Sequence, residues 1–342
     1  RLLVVDAYIA GEAGDAARVM SDLDAVFGIC EHVAEMPFLV SDLTAISVVA
    51  MQSDAIRRLL HEHSDLFTAD QLQHLSHRLA GVRGGGPLRA RISLEGWFFE
   101  DIIQRIYTDD GEGAGHLTPK GRELMMGLSS GGNPPLAQHA FYGGFSGSIL
   151  LPVADLVVAD RREMMRKHDE LTALAEAEAR KPLWERDESA ADQALEALQE
   201  SWRDWVRYMP VAILTPSLSR ASVLAELTTL KRDATCAVLG CELFRQHEGR
   251  WPNTLAELTP LYLPVPPIDR FDGEPLRYRL GEGKPVLYSI GGNYKDDGGL
   301  VPESPNDRRA IQNWRSPGNR DLPRGAGDEP LVGDWVFWPP AD

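Results

Sequence analysis

Between residues 16 and 36 the apolar positions Val19, Leu23, Val26, Phe27, Cys30 and Val33 recur three and four apart. That rhythm predicts an amphipathic helix, with its stripe turned to a core. Pro37 ends or restarts the helix, residues 44 to 60 continue in the same style, and Thr68 with Gln71 has the capping-box spacing that opens a third helix. Further helical stretches follow in "SLEGWFFEDIIQRIY", in "TPKGRELMMGL", and in a charged segment from about Leu156 to Met209 that breaks near Pro182. The glycine-rich strings "GVRGGGP", "TDDGEGAGH" and "SSGGNPP" read as loops between them. No fixed-period repeat appears, and the first 218 residues read as an all-helical domain.

The last third changes character. Leu227, Leu230, Ala234, Ala237, Val238, Cys241 and Phe244 share one face of a long helix, and Gly249 marks its end. Proline-rich punctuation leads into "LRYRL", where Leu276, Tyr278 and Leu280 alternate with Arg277 and Arg279, then a "GEGKP" turn and "VLYSI". This is the period of a half-buried strand, and the pair predicts an antiparallel hairpin. The expected fold class is therefore α+β: a helical domain over 1–218 and a smaller α+β domain over 219–342.

Composition agrees with two ordinary domains. The chain has 342 residues, 43% hydrophobic and 25% charged, which excludes wholesale disorder. A formal charge of -16 argues against nucleic acid as a partner, because phosphates would be repelled. Three cysteines make no disulfide framework and no zinc spacing; Cys236 and Cys241 lie about 140° apart around the predicted helix, and all three read as buried thiols. The apolar runs "FLVSDLTAISVVAM" and "SILLPVADLVVA" are interrupted by polar residues or proline and read as core segments. Because the chain opens on Arg1, a preceding signal or anchor is expected to be its route to a membrane.

The order of motifs in the last third carries a resemblance. A long helix, "HEGRWPNTLAEL", "YLPVPPIDRFDGEPLRYR", "VLYSIGGNYKDDGG" and "GDWVF" follow one another. This resembles the globular domain of the type II secretion major pseudopilin, with Gly249 to Pro252, Asp269 to Gly273 and Tyr288 to Gly291 in the places of that family's turn, Asp-Pro-Trp-Gly-like and Tyr-Ser-Leu-Gly-like segments. The resemblance covers about 120 residues, and it implies an extracytoplasmic bacterial protein whose loop after Ile290 binds calcium. Ca²⁺ takes six to eight hard oxygen ligands, and glycines let carbonyls turn inward. The candidate ligands are the side chains of Asn293, Asp296, Asp297 and Asp334 with the backbone oxygen of Ile290.

Two departures from the family matter. About 34 residues separate Gly299 from Asp334 where the family has a short acidic segment, and 218 other residues stand before the helix in place of an apolar N-terminal helix. Polymerisation into a pseudopilus is therefore not expected. The competing reading of the loop is a turn whose aspartates cap backbone groups.

Other candidates for chemistry are thin. "GGFSGS" around Ser146 lacks nucleophile-elbow spacing, and "GVRGGGP" fails the phosphate-loop pattern. "HEH" at 61–63 and the pair His74 and His77 lack the His-Glu-x-x-His geometry, so exposed helix histidines are expected. "TDDGEG" lacks the ligand alternation of a calcium-binding helix-loop-helix, and Trp202 and Trp205 read as packing residues. The expectation is a non-enzymatic structural or binding protein with a protein partner. The rival is a hydrolase with its site in the helical domain or at the domain junction.

Overall fold

Local chemistry starts the helices where the pattern places them. In the computed structural model, which describes residues 1–129, 157–186, 190–215, 218–314 and 330–340, the helix α1 (Leu2–Glu12) is followed by α2 (Ala16–Glu35), α3 (Leu39–Glu62) and α4 (Ala69–Gly81). The Asp15 side chain caps α2 by accepting from Arg18 N at 3.0 Å, and Thr68 and Gln71 form the expected reciprocal capping box of α4. Val19, Leu23, Val26, Phe27 and Cys30 are buried as the periodicity requires. Val4, Val26 and Ala55 join α1, α2 and α3 in one cluster, and Gln52 Nε2 reaches across to Leu23 O at 2.8 Å. α3, at 24 residues and mean hydropathy 1.3, is long and apolar enough to cross a membrane by length and composition alone; half of that window is buried within the protein.

The next helices are α5 (Leu94–Ile106), α6 (Pro119–Ser129), α7 (Arg161–Ala179), α8 (Ala190–Glu200), α9 (Trp202–Arg207) and α10 (Met209–Leu214). Phe99, Ile103, Met164, Leu171, Leu198 and Val211 form their shared core. Trp205 packs against that core, whereas Trp202 is exposed. Glu163 ties the group together, accepting from Arg207 Nε at 3.1 Å and from the Tyr208 hydroxyl at 2.7 Å. These donors hold its carboxyl below the usual range. "GGFSGS" lies outside the described residues.

The long helix α11 (Leu218–Glu248) ends at Gly249, whose φ of 70° is the left-handed geometry that glycine takes without cost. Periodicity predicts one buried face, yet residues 234 to 244 are buried on every side. Apart from Thr235 and Glu242 that stretch is not charged or hydroxylated, and just before it the polar positions of the helix are paired rather than solvated. Arg57 of α3, buried, donates to Thr235 Oγ1, to Lys231 O at 3.3 Å and to Asp54. Leu88 N donates to Thr229 Oγ1 at 2.8 Å, Arg232 donates to Gly86 O at 2.8 Å, and Arg270 pairs with buried Glu226 at 3.3 Å. Threonines, arginines and glutamate thus line faces that a hydropathy pattern reads as solvent.

The sheet is small and antiparallel, in the order β1 (Arg277–Gly281), β2 (Lys284–Ser289), β3 (Trp335–Trp338). Glu282 and Gly283 both have positive φ and close the predicted hairpin as a two-residue turn. Leu276 is buried and Tyr278 half-buried as expected, but Leu280, next to the turn, is exposed because the apolar face thins toward the hairpin tip. A short helix, α12 (Pro305–Ile311), precedes β3. Helix makes up 63% of the structure, and with the three-stranded sheet it fits an α+β class.

Two compact units emerge. One comprises Arg1–Ala90, Pro182–Asp187 and Ser222–Asp342; the other comprises Arg91–Lys181 and Glu188–Ala221. The first unit holds both the first helices and the last third, and the polar pairs on α11 are among the bonds that join them.

Candidate functional site

The aspartates of the last third gather where β2 ends and the loops around it turn. Asp269 is fully buried. Its Oδ1 accepts from Phe271 N at 3.1 Å and Ser289 Oγ at 2.8 Å, and its Oδ2 from Ile290 N at 3.0 Å and Arg277 Nη1 at 3.1 Å. Burial pushes its carboxyl up to about 6, against the pull of those donors. Gly273 closes the same turn at φ 81°, with the Trp184 ring in the place a Cβ would fill.

The residues expected as ligands converge in part. Asn293 Nδ2 sits among Asp297 Oδ2 at 3.0 Å, Gly333 O at 3.2 Å and Leu331 O at 3.3 Å. Asp297 Oδ2 also accepts from Gly333 N at 2.7 Å, and Lys295 Nζ lies 3.0 Å from Oδ1. Asp334, buried, accepts from Asp297 N at 3.2 Å and Gly299 N at 2.7 Å. The segment between Gly299 and Asp334 therefore does not keep Asp334 from the loop. Asp296 stands apart, half exposed, taking the Tyr288 hydroxyl at 3.1 Å and Gly298 N at 2.9 Å. Ile290 enters through its N–H, given to Asp269.

Electrostatically, the two inner carboxyls differ. Burial raises the Asp334 carboxyl, while Gly333 N, Lys295 and Asn293 bring Asp297 below its ordinary value despite its burial. The fit to calcium can be judged from the donors. Asp297 Oδ2 and the carbonyls of Leu331 and Gly333 form an oxygen cradle, but Asn293 Nδ2 occupies its centre, and both oxygens of Asp334 face N–H groups. As arranged, the residues do not fit a cation, which would have to displace the Asn293 amide. The geometry matches aspartates that cap backbone groups.

Elsewhere the histidines behave as exposed residues or packing groups. His74 pairs with Asp24 at 2.8 Å, His77 is exposed, and His61 meets Trp338 edge-on. Arg83, in the glycine-rich loop, pairs with buried Asp42 at 3.0 Å, so that loop serves the fold. The three cysteines are free and buried, and burial lifts the Cys30 thiol to about 11 and those of Cys236 and Cys241 to about 12. Such thiols are poor nucleophiles. A cavity of about 430 Å³ opens beside the sheet, lined by Arg279, Val286, Gly299, Val301, Arg308, Val336, Pro339 and Pro340, with no acid or base for proton transfer other than arginine.

Sequence reasoning missed Asp269 as the organising carboxylate. The signal for it was "DRFDG", an aspartate heading a turn that Gly273 closes four residues later. It also missed that His63 meets Glu12, 51 positions earlier in the chain, at 3.7 Å. No family model, curated protein or solved structure matches the chain. The resemblance to the pseudopilin domain rests on its motifs alone.

Proposed function

We propose that the protein is a non-catalytic structural or binding protein outside the cytoplasm, whose pseudopilin-like last third presents loops stiffened by buried aspartates to a protein partner. The supporting observation is that Asp269, Asp297 and Asp334 spend their oxygens on loop N–H groups and cationic side chains, which fixes loop shape and leaves none poised for acid–base work. Calcium enters this reading only by replacing Asn293 Nδ2 in the cradle. The test is thermal unfolding after chelation, titrated with Ca²⁺ or Mg²⁺, for the native chain and Asp297→Ala. The expected result is a lower midpoint in the variant and no calcium-selective rise in either. A calcium-selective rise that Asp297→Ala loses would replace the amide-closed lock with an ion site. Hydrolysis of ester, phosphoester or peptide substrates that a point variant abolishes would sink the non-catalytic reading.

A further inference from the structure

Away from the aspartate lock, two helices end against each other. α1 closes on Glu12, and α3 closes on Glu62 with His63 as its C-cap. One ligand atom from each of Glu12, Glu62 and His63 lies within 4.8 Å of the others, and His63 Nε2 is 3.7 Å from Glu12 Oε1. That nitrogen is shielded from solvent yet makes no hydrogen bond. A buried imidazole nitrogen without a hydrogen-bonding partner is costly, which marks it as a lone pair or N–H in want of a ligand.

Three features suit this corner to a cation. Gly11 admits the ring: a Cβ at that position would lie 2.9 Å from Leu59 Cδ2 and 3.1 Å from His63 Cδ2, so any larger residue would push α1 away from His63. Both carboxylates stand at the last residues of their helices, the negative ends of the macrodipoles, and α1 has no basic residue in its last turn. The donor set is one imidazole nitrogen and two carboxylates, which suits a borderline divalent ion better than calcium, an all-oxygen ion.

We propose that Glu12, Glu62 and His63 bind a divalent ion of the zinc class, with water completing its coordination on the exposed side. Bonds of about 2.1 Å in a tetrahedral site put neighbouring ligand atoms roughly 3.4 Å apart, so the three atoms, within 4.8 Å of one another, draw closer when the ion binds. Arg58 Nε, 2.7 Å from Glu62 Oε1, is the built-in competitor for one ligand.

The experiment is calorimetric titration of the metal-free full chain with Zn²⁺, repeated with Co²⁺ to read its absorption bands. One site is expected, with Glu12→Gln and His63→Gln each weakening it about tenfold or more and Asp297→Ala leaving it unchanged. Arg58→Ala should tighten binding by freeing Glu62. Glu12 is largely exposed at a helix end, so its variant should keep the native circular dichroism and urea midpoint without metal. Unchanged affinity in both ligand variants, or no uptake at about 100 µM metal, would overturn the site.

Discussion

Two acidic, glycine-bearing loops in this chain look alike on paper and are built differently. In "TDDGEG", Asp109 Oδ1 accepts from Gly111 N at 2.8 Å, and Asp110 Oδ1 accepts from Glu112 N and Ala114 N, each at 2.9 Å. In "NYKDDGG", Asp297 and the returning Asp334 exchange bonds with backbone groups 35 to 37 residues away. The first loop takes its aspartates' hydrogen bonds from within four residues of chain, with only a long ion pair from Arg161 to Asp109 at 3.9 Å reaching further, and it remains exposed. The second uses the same side chains to fasten distant segments. An aspartate's role is set by where its donors come from, which a short motif does not state.

The comparison can be broken most severely at Asp269. Asp269→Ala strands three loop donors and Arg277 in the interior, and the expected loss is about 3–5 kcal/mol in urea unfolding. A loss under about 1 kcal/mol would mean that water replaces the carboxylate. The pH dependence sharpens the same point. With its carboxyl raised to about 6 from 3.8, the folded state binds the proton more tightly than the unfolded chain, so this group's contribution is largest near pH 4 and falls as pH rises to about 6. Asp269→Asn should remove that slope from the difference between native and variant stability curves. A slope of opposite sign would show that the four donors outweigh burial.

Asp334→Ala comes next, with an expected cost of about 1–3 kcal/mol because Asp297 N and Gly299 N lose their acceptor. Hydrogen exchange should then quicken at those two amides before it does in β2. Smallest is Asp110→Ala, in the exposed loop, where the unfolding midpoint should match the native chain within scatter. A shift as large as that of Asp334→Ala would erase the distinction between the loops.

Much of this architecture could be read from the sequence because it depends on near neighbours. The Thr68 to Gln71 capping box, the stop at Gly249 and the hairpin across Glu282 and Gly283 are each decided within a few residues. The wrapping of α11 is not local. Arg57, Thr229 and Arg232 look like surface residues until their partners are known, and those partners lie 141 to 178 positions away along the chain. For the same reason the candidate ligands Asn293, Asp297 and Asp334 were legible as a group, whereas the amide at the centre of their cradle was not. Composition could name the oxygens but could not say which nitrogen faces them.

The bond between Arg57 and Thr235 spans 178 positions of sequence. At a synthesis rate of about 5–20 residues per second, roughly 9–36 s pass between the emergence of one partner and the other from the ribosome. Through that interval α3 carries a guanidinium meant for the interior, with neither Thr235 nor the Phe337 ring yet made to cover it. The N-terminal helices can be formed early, but they cannot be finished until the last strand has left the exit tunnel.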